Sequence, residues 1–406
     1  MADVRRRRGL TLVAPTRSDR FPHLRNATIR PGDRWIFSAG FDVHPDLRET
    51  APIDAELADL TYLLDAGARV AILSHQGNHH NRSALPLQFV AEYLTRKLAR
   101  PVSYFPDCAS PAAFAYAQEL APGTAALFGN TRAHPGEQSN DPELARNLAR
   151  LGDAVAIGGF AKAHLSHASN LGILQFRPGF LASSIADELA LLAPWASADP
   201  TRYSIAILGG TDSAGTLLGL DAFTRKYDLV IPAGTVLNAL LAAHGHRIGS
   251  SVLGPDPAAC IAIAQQVSSR PDRAEIHLPD TVFIADTRSG TTKAIPITDG
   301  VPHGWAIIDF WLHPWLAERM LRLRENGGRA LQLGSPCLRP HPSRSSTDLF
   351  TDYLTHPAIE ALLLEDPTTT DLPWPAPRSS GGTPALSYLA QGTLPILDAL
   401  SSPPVN

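Results

Sequence analysis

The sequence predicts an α/β protein of two Rossmann-like parallel-sheet lobes joined by a helix. Three observations predict it. Short apolar runs alternate with amphipathic stretches of helical spacing, the rhythm of parallel sheets covered on both faces. That rhythm comes in two series, and a stretch of helical spacing from about Phe180 to Ala193 lies between them. A chain of 406 residues is long enough for two or three domains. The expected division is an N-lobe at 1–178, an interdomain helix at 179–200, a C-lobe at 201–385 and a C-terminal return segment at 386–406 that packs on the N-lobe.

The elements follow in order. Trp35-Ile-Phe reads as the first strand, and Ala58 to Ala66 as a helix ended by Gly67. Arg69 to Leu73 is the next strand, and Leu87 to Leu98 the next helix. Thr124 to Phe128, the helix Pro142 to Leu151 and the strand Ala154 to Ile157 complete the first series. The second series has strands at Ser204 to Leu208, Leu229 to Ile231, Thr281 to Ala285, Gly304 to Asp309 and Ala330 to Leu333. Proline fixes φ and lacks an N–H, so Leu338-Arg-Pro-His-Pro and Leu372-Pro-Trp-Pro-Ala-Pro are expected loops. In open α/β sheets ligands sit beyond the carboxyl ends of the strands, so functional residues are sought just after each strand.

Bulk composition narrows the class. Hydrophobic residues make up 44% and charged residues 18%, which gives real cores rather than disorder. The net charge of -4 gives no reason to expect nucleic acid as a partner. Cys108, Cys260 and Cys337 match no disulfide framework or zinc spacing, and a reducing cytoplasm is expected. No apolar run reaches a membrane span, and the start lacks the apolar core of a signal peptide. Arg5 to Arg8 read as a solvated tail. The composition hints at a GC-rich bacterial genome, and a monomer is expected.

Five segments occur in a telling order. They are Tyr62 through Ser74-His75-Gln76 to Gly77, Asn130-Thr-Arg-Ala-His-Pro-Gly-Glu137, Phe160-Ala-Lys-Ala-His-Leu-Ser-His-Ala-Ser169, Ile205 to Gly210, and Ser379-Ser-Gly-Gly-Thr-Pro384. Pro302 to Asp309 is a weaker sixth. In order and spacing they resemble the phosphoglycerate kinase family over about residues 25 to 400. The resemblance implies an N-lobe that holds a three-carbon acid phosphate, a C-lobe that holds a nucleotide, and a closing hinge. Phosphoryl transfer in such a site rests on positioning and charge neutralisation.

The acid-substrate half departs from that pattern. The family's R-x-D-x-N-x-P is matched by Ser38-Ala-Gly40-Phe-Asp42-Val-His44-Pro45, with Gly40 at the Asp and Asp42 at the Asn. An arginine expected soon after aligns with Pro52, with Arg48 nearby. S-H-L-G-R becomes Ser74 to Asn78, and A-H-R-A-H becomes Ala163 to His167 with Leu165 at the arginine. Arg132 alone of four expected arginines stays in register. Phosphate recognition leans on arginine forks, so a substrate with one carboxylate, or none, suits this lobe better than a phosphate ester.

Histidines gather after the strands of this lobe: His44, His75, His79, His80, His134, His164 and His167. Histidine serves as acid, base or metal ligand near neutral pH. One reading makes Asp42, His44, His75 and His164 an acid/base set, with Arg132, His167 and Asn78 holding substrate. A second lets His75, His79 and His80 with Asp42 hold a metal, and a third makes His75, His134, His164 and His167 structural hydrogen-bonders.

The nucleotide half departs further. Asp212 and Thr216 stand where G-G-A-K-x-x-D-K carries its lysines. N-G-P-x-G-x-x-E becomes Gly334 to His341, without the Asn and Glu expected near the nucleoside. The G-G-G-D-T phosphate loop is missing, and Asp366 in Leu364-Glu-Asp-Pro is its nearest remnant. Gly381-Gly382 survives. The expected function is a repurposed enzyme that acts on a small anionic metabolite in the histidine-rich cleft, in specialised biosynthesis and with no cofactor. An atypical carboxylate kinase that uses Mg-ATP and forms an acyl phosphate is the alternative, and a non-catalytic binding or regulatory protein is the other.

Overall fold

The computed structural model describes residues 20–211 and 213–401, and the side chains of 213–216 are not among those described. The arginine run at 5–8, Asp212 and the Thr216 side chain lie outside the described residues.

The first sheet holds β1 (Arg34–Ser38), β2 (Arg69–Leu73), β3 (Val102–Phe105), β4 (Ala125–Phe128), β5 (Ala154–Ile157) and β6 (Gly179–Leu181). Its order is β3-β4-β2-β1-β5-β6, and every pairing is parallel. Both faces are covered, which is why its strands read as unbroken apolar runs. Trp35 and Phe37 enter one hydrophobic cluster while Ile36, between them, enters another. The chain crosses from β4 to β5 on the far side of β1, so the carboxyl ends of β1, β2, β4 and β5 surround one crevice.

The second sheet contains β7 (Ser204–Leu208), β8 (Leu229–Pro232) and β9 (Glu275–Ile276). Next in the chain come β10 (Thr281–Asp286), β11 (Thr292–Pro296) and β12 (Trp305–Phe310), then β13 (Arg329–Leu333), β14 (Glu360–Leu364) and β15 (Arg378–Ser379). The parallel order is β15-β14-β13-β7-β8-β9. The sequence places Thr281 to Ala285 and Gly304 to Asp309 in this parallel series. Instead β10 and β12 pair antiparallel with each other, in a separate sheet of order β11-β10-β12. Periodicity reports which strands are buried but not which neighbour they pair with, and the short connection from β10 to β11 suits a hairpin.

Further differences concern the join and two strands. The helix read from Phe180 begins at Ser183 and runs to Leu192, because 179–181 completes the first sheet as β6. Val102–Phe105 and Glu360–Leu364 are strands that the sequence hides. The first is a half-buried edge, and the second, Glu-Ala-Leu-Leu-Leu, is made of helix formers.

One cluster contains Ile36 of the first sheet, Leu189 and Leu192 of the joining helix, Ala206 and Leu208 of the second sheet, and Leu386 and Leu389 near the C-terminus. The inner faces of the two lobes therefore share a core. Helix Gly382–Gln391 packs on helix Ser213–Phe223 and on the turn Phe160–Lys162. A Cβ at Gly381 would lie 2.6 Å from the Phe160 ring, so the glycine lets the return segment approach the N-lobe. No helix among the described residues is long and apolar enough to cross a membrane.

Candidate functional site

The crevice of the first sheet is assembled by backbone-directed polar side chains. Ser74 Oγ accepts Phe41 N–H at 3.0 Å, which ties the loop after β1 to the loop after β2. Asn130 Nδ2 donates to Gln76 O at 2.9 Å and Leu85 O at 2.8 Å, while its Oδ1 accepts Arg132 N–H at 3.0 Å. That one side chain sets the His75 loop against Arg132. Gly77 has φ +69°, and a Cβ there would lie 2.2 Å from Ser83 O. Only glycine combines this conformation with this approach.

Arg132 is the centre of the crevice. Its Nη1 donates to Asp42 Oδ2 at 3.1 Å and to Gly77 O at 2.9 Å, and its side chain is only 14% exposed. Its Nε is buried with no hydrogen-bond partner. A buried guanidinium N–H left unpaired is costly, and an incoming carboxylate or other anion would relieve it.

Near Arg132 two histidines are held in their neutral forms. His75 is buried, and burial pushes it well below the usual histidine range, with Arg132, Lys162 and His167 adding to the effect. His167 is half-buried and is lowered to about 4 by desolvation, then by Arg132, Lys162 and His164. Both rings rest uncharged at neutral pH. Either one gains basicity when an anion enters and offsets the neighbouring cations.

The sequence reading missed Lys162. Its Nζ donates to Ser38 Oγ at 2.9 Å and to Asn170 Oδ1 at 2.8 Å, wholly inside the lobe. Burial lowers it to about 7, against the pull of the Glu137 and Glu56 carboxylates. Ser38 stands where the matched motif begins with arginine, so a cation from the loop after β5 reaches the residue that replaced one at the end of β1. A lysine inside the apolar segment Phe160-Ala-Lys-Ala was the available signal. Glu137 accepts Ser169 N–H at 3.0 Å and the Ser169 and Thr131 hydroxyls. Glu56, raised by burial, accepts Gly159 N–H at 2.7 Å.

The other expected residues are dispersed. His44 is 74% exposed and pairs with Asp46 at 2.9 Å. With Asp42, Asp46, Arg48, Glu49 and Pro52 it lines an open groove of about 410 Å³. Three carboxylates there outnumber one arginine, so the groove does not favour an anion. Arg48 turns to Asp46 at 2.5 Å rather than into the crevice. Asn78 Oδ1 accepts His80 N–H at 2.8 Å and so builds the turn. His164 is partly buried at the end of the turn Phe160–Lys162. His79 Nδ1 lies 2.9 Å from Ala133 O. Among the described residues two groups of metal-ligating side chains converge, Asp107–Cys108–His134 and Asp309–Cys337–His341. Neither contains His75, His79, His80 or Asp42.

The second sheet's carboxyl ends are built differently. Asp366, after β14, places Oδ2 2.2 Å from where a Gly210 Cβ would be and 2.8 Å from that of Gly334. Its Oδ1 accepts Thr368 N–H at 2.8 Å and the Thr368 hydroxyl. A carboxylate over a glycine turn repels a phosphate unless a divalent cation lies between them. Arg378, near by, is engaged by Glu365 at 2.5 Å and by two backbone carbonyls. In the Gly334–His341 loop, His341 stacks on Phe283 with ring centroids 4.0 Å apart, and its Nε2 lies 2.7 Å from Asp309 Oδ2. Both side chains of this pair are fully buried. Cys337 is pushed up to about 12 by desolvation and by the Asp309 carboxylate.

Comparison with known proteins matches both lobes. A family model described as phosphoglycerate kinase matches residues 40–312. The phosphoglycerate kinase of Roseiflexus castenholzii is 32% identical over 288 residues, 68% of this chain and 72% of its own length. That of Herpetosiphon aurantiacus is 33% identical over 287 residues, with the same coverage. The structure of phosphoglycerate kinase from Coxiella burnetii superposes with a TM-score of 0.72 at 22% identity, covering 94% of this chain and 98% of that one. The Pyrococcus horikoshii enzyme gives 0.73 at 20% identity over 92% and 98%.

Proposed function

This chain belongs to the phosphoglycerate kinase family, and on that premise we propose a repurposed enzyme that binds a small carboxylate metabolite in the N-lobe crevice and acts on it by proton transfer. The observation that carries the reading is the Arg132 Nε, buried and unpartnered between the loops after β1, β2 and β4. A carboxylate oxygen accepts that N–H. The negative charge then raises the basicity of His75 and His167, which rest neutral because of burial and the neighbouring cations. His75, fixed by its loop, takes the role of base, and Asp42 holds the guanidinium in place through its 3.1 Å contact.

The C-lobe supports the same reading. His341 and Asp309 fill the loop that matches the nucleoside-contacting segment, and Asp366 sets a negative charge over the Gly210 turn. Calorimetry with a non-hydrolysable MgATP analogue tests the proposal. No heat is expected at micromolar concentration, and saturable micromolar binding overturns it.

A second reading, an atypical carboxylate kinase, draws on Asp366 itself. The carboxylate faces the Gly210 turn beside the start of helix Gly382–Gln391, whose N-cap glycine offers no capping side chain. Asp366 would hold a magnesium ion there, and the ion would neutralise phosphate charge. The same titration separates the two, because under this reading Asp366→Ala removes the binding heat.

A further inference from the structure

The C-lobe has a side-chain cluster to which neither reading assigns a ligand. Asp309 lies one residue before the end of β12, while Cys337 and His341 lie in the proline-rich loop after β13. One carboxylate oxygen, the Cys337 Sγ and one ring nitrogen of His341 all lie within 4.8 Å of one another. The histidine and aspartate side chains are fully buried, and Cys337 is the partly exposed member. His341 Nε2 contacts Asp309, whereas Nδ1 is buried with no hydrogen-bond partner. A ring whose Nε2–H donates to a carboxylate presents a lone pair at Nδ1. That is the tautomer and orientation that second-shell carboxylates give to metal-binding histidines.

We propose that Asp309, Cys337 and His341 form a binding site for a borderline-soft divalent cation of the zinc class. Thiol and imidazole donors select such an ion over magnesium or calcium, which take oxygen ligands. Cys337 Sγ and a ring nitrogen of His341 are the soft donors, and Asp309 is their carboxylate partner. Binding releases the Cys337 thiol proton to solvent and leaves the metal's oxidation state unchanged. The ion clips the Gly334–His341 loop to β12, and the Phe283 ring, stacked on His341, shields one side. Ser346 N–H and Oγ already donate to Asp309, so the carboxylate is fixed before any metal arrives. The site uses none of the residues at the Gly210 turn.

Cobalt(II) is the probe. The full-length protein, stripped by a chelator and titrated with cobalt(II), is expected to bind one ion per chain with a near-ultraviolet thiolate-to-cobalt charge-transfer band. Cys337→Ser removes that band, and His341→Gln weakens cobalt binding at least tenfold. Thermal melts with and without zinc serve as a second readout, with a zinc-dependent rise in the wild type that Cys337→Ser loses. Absence of the band in the wild-type protein overturns the proposal. So does a band that survives Cys337→Ser but disappears in Cys108→Ser, since that outcome places the ion at Asp107–Cys108–His134.

Discussion

The loops after β2 and β4 and the loop after β13 occupy equivalent ends of two parallel sheets, yet they close in opposite ways. In the first sheet Asn130 and Ser74 link the loops through backbone groups, and a guanidinium N–H is left over in the crevice. In the second, Asp309 and His341 pair with each other, and the Phe283 ring covers them. The difference teaches that a binding site depends on unsatisfied polarity. A charge paired within the protein, as between His341 Nε2 and Asp309, stabilises its loop, whereas a buried polar atom left without a partner, Arg132 Nε in one lobe and His341 Nδ1 in the other, is poised for a ligand.

That contrast can be broken most sharply at Arg132. Arg132→Ala is expected to weaken carboxylate binding by about 100-fold, the worth of a buried charge-assisted hydrogen bond. Asp366→Ala should leave it unchanged. Calorimetry on both variants checks this, and equal losses would erase the distinction between the lobes. Next in size is His341→Ala, which leaves Asp309 short of a partner and empties the face of Phe283. A loss of about 3 kcal/mol in urea unfolding is expected, with carboxylate affinity intact in the folded protein. Gly77→Ala should cost about 2 kcal/mol through its positive φ and its approach to Ser83 O, and it should also shift the His75 loop.

Stability is also expected to depend on pH. His167 folds with its affinity for protons lowered from 6.5 to about 4, and Lys162 with its own lowered from 10.5 to about 7. The unfolded chain therefore binds more protons than the folded one in both windows, and stability rises with pH from about 4 to 6.5 and again from about 7 to 10.5. Lys162→Met should flatten the upper rise, and an unchanged slope in unfolding measurements would show that Lys162 is not its source. Arg48→Ala is expected to change carboxylate affinity less than about twofold, since an exposed pair with Asp46 contributes little.

Much of the fold was legible because buried parallel strands leave unbroken apolar runs, as at Arg69–Leu73 and Ser204–Leu208. β14 was not, since Glu-Ala-Leu-Leu-Leu has helical propensity and becomes a strand only beside β13. Of the candidate site, Asp42, His75, Arg132 and His167 could be located after strands, while the separation of exposed His44 from buried His75 could not. Lys162 escaped because its one signal, a lysine within the apolar segment Phe160-Ala-Lys-Ala, marks a place in the chain and not a depth.

The sequence by itself determined the two-lobe plan, the strand ends where chemistry is concentrated, and the loss of all but one of the expected arginines. Those are properties of residue order, fixed by periodicity and motif spacing. Tertiary structure alone decided that β10 and β12 leave the parallel sheet, that Asp42 holds Arg132, and that Asp309, Cys337 and His341 converge. Each of these depends on contacts between segments far apart in the chain, where burial and the presence or absence of a partner set the charge state and reach of a side chain.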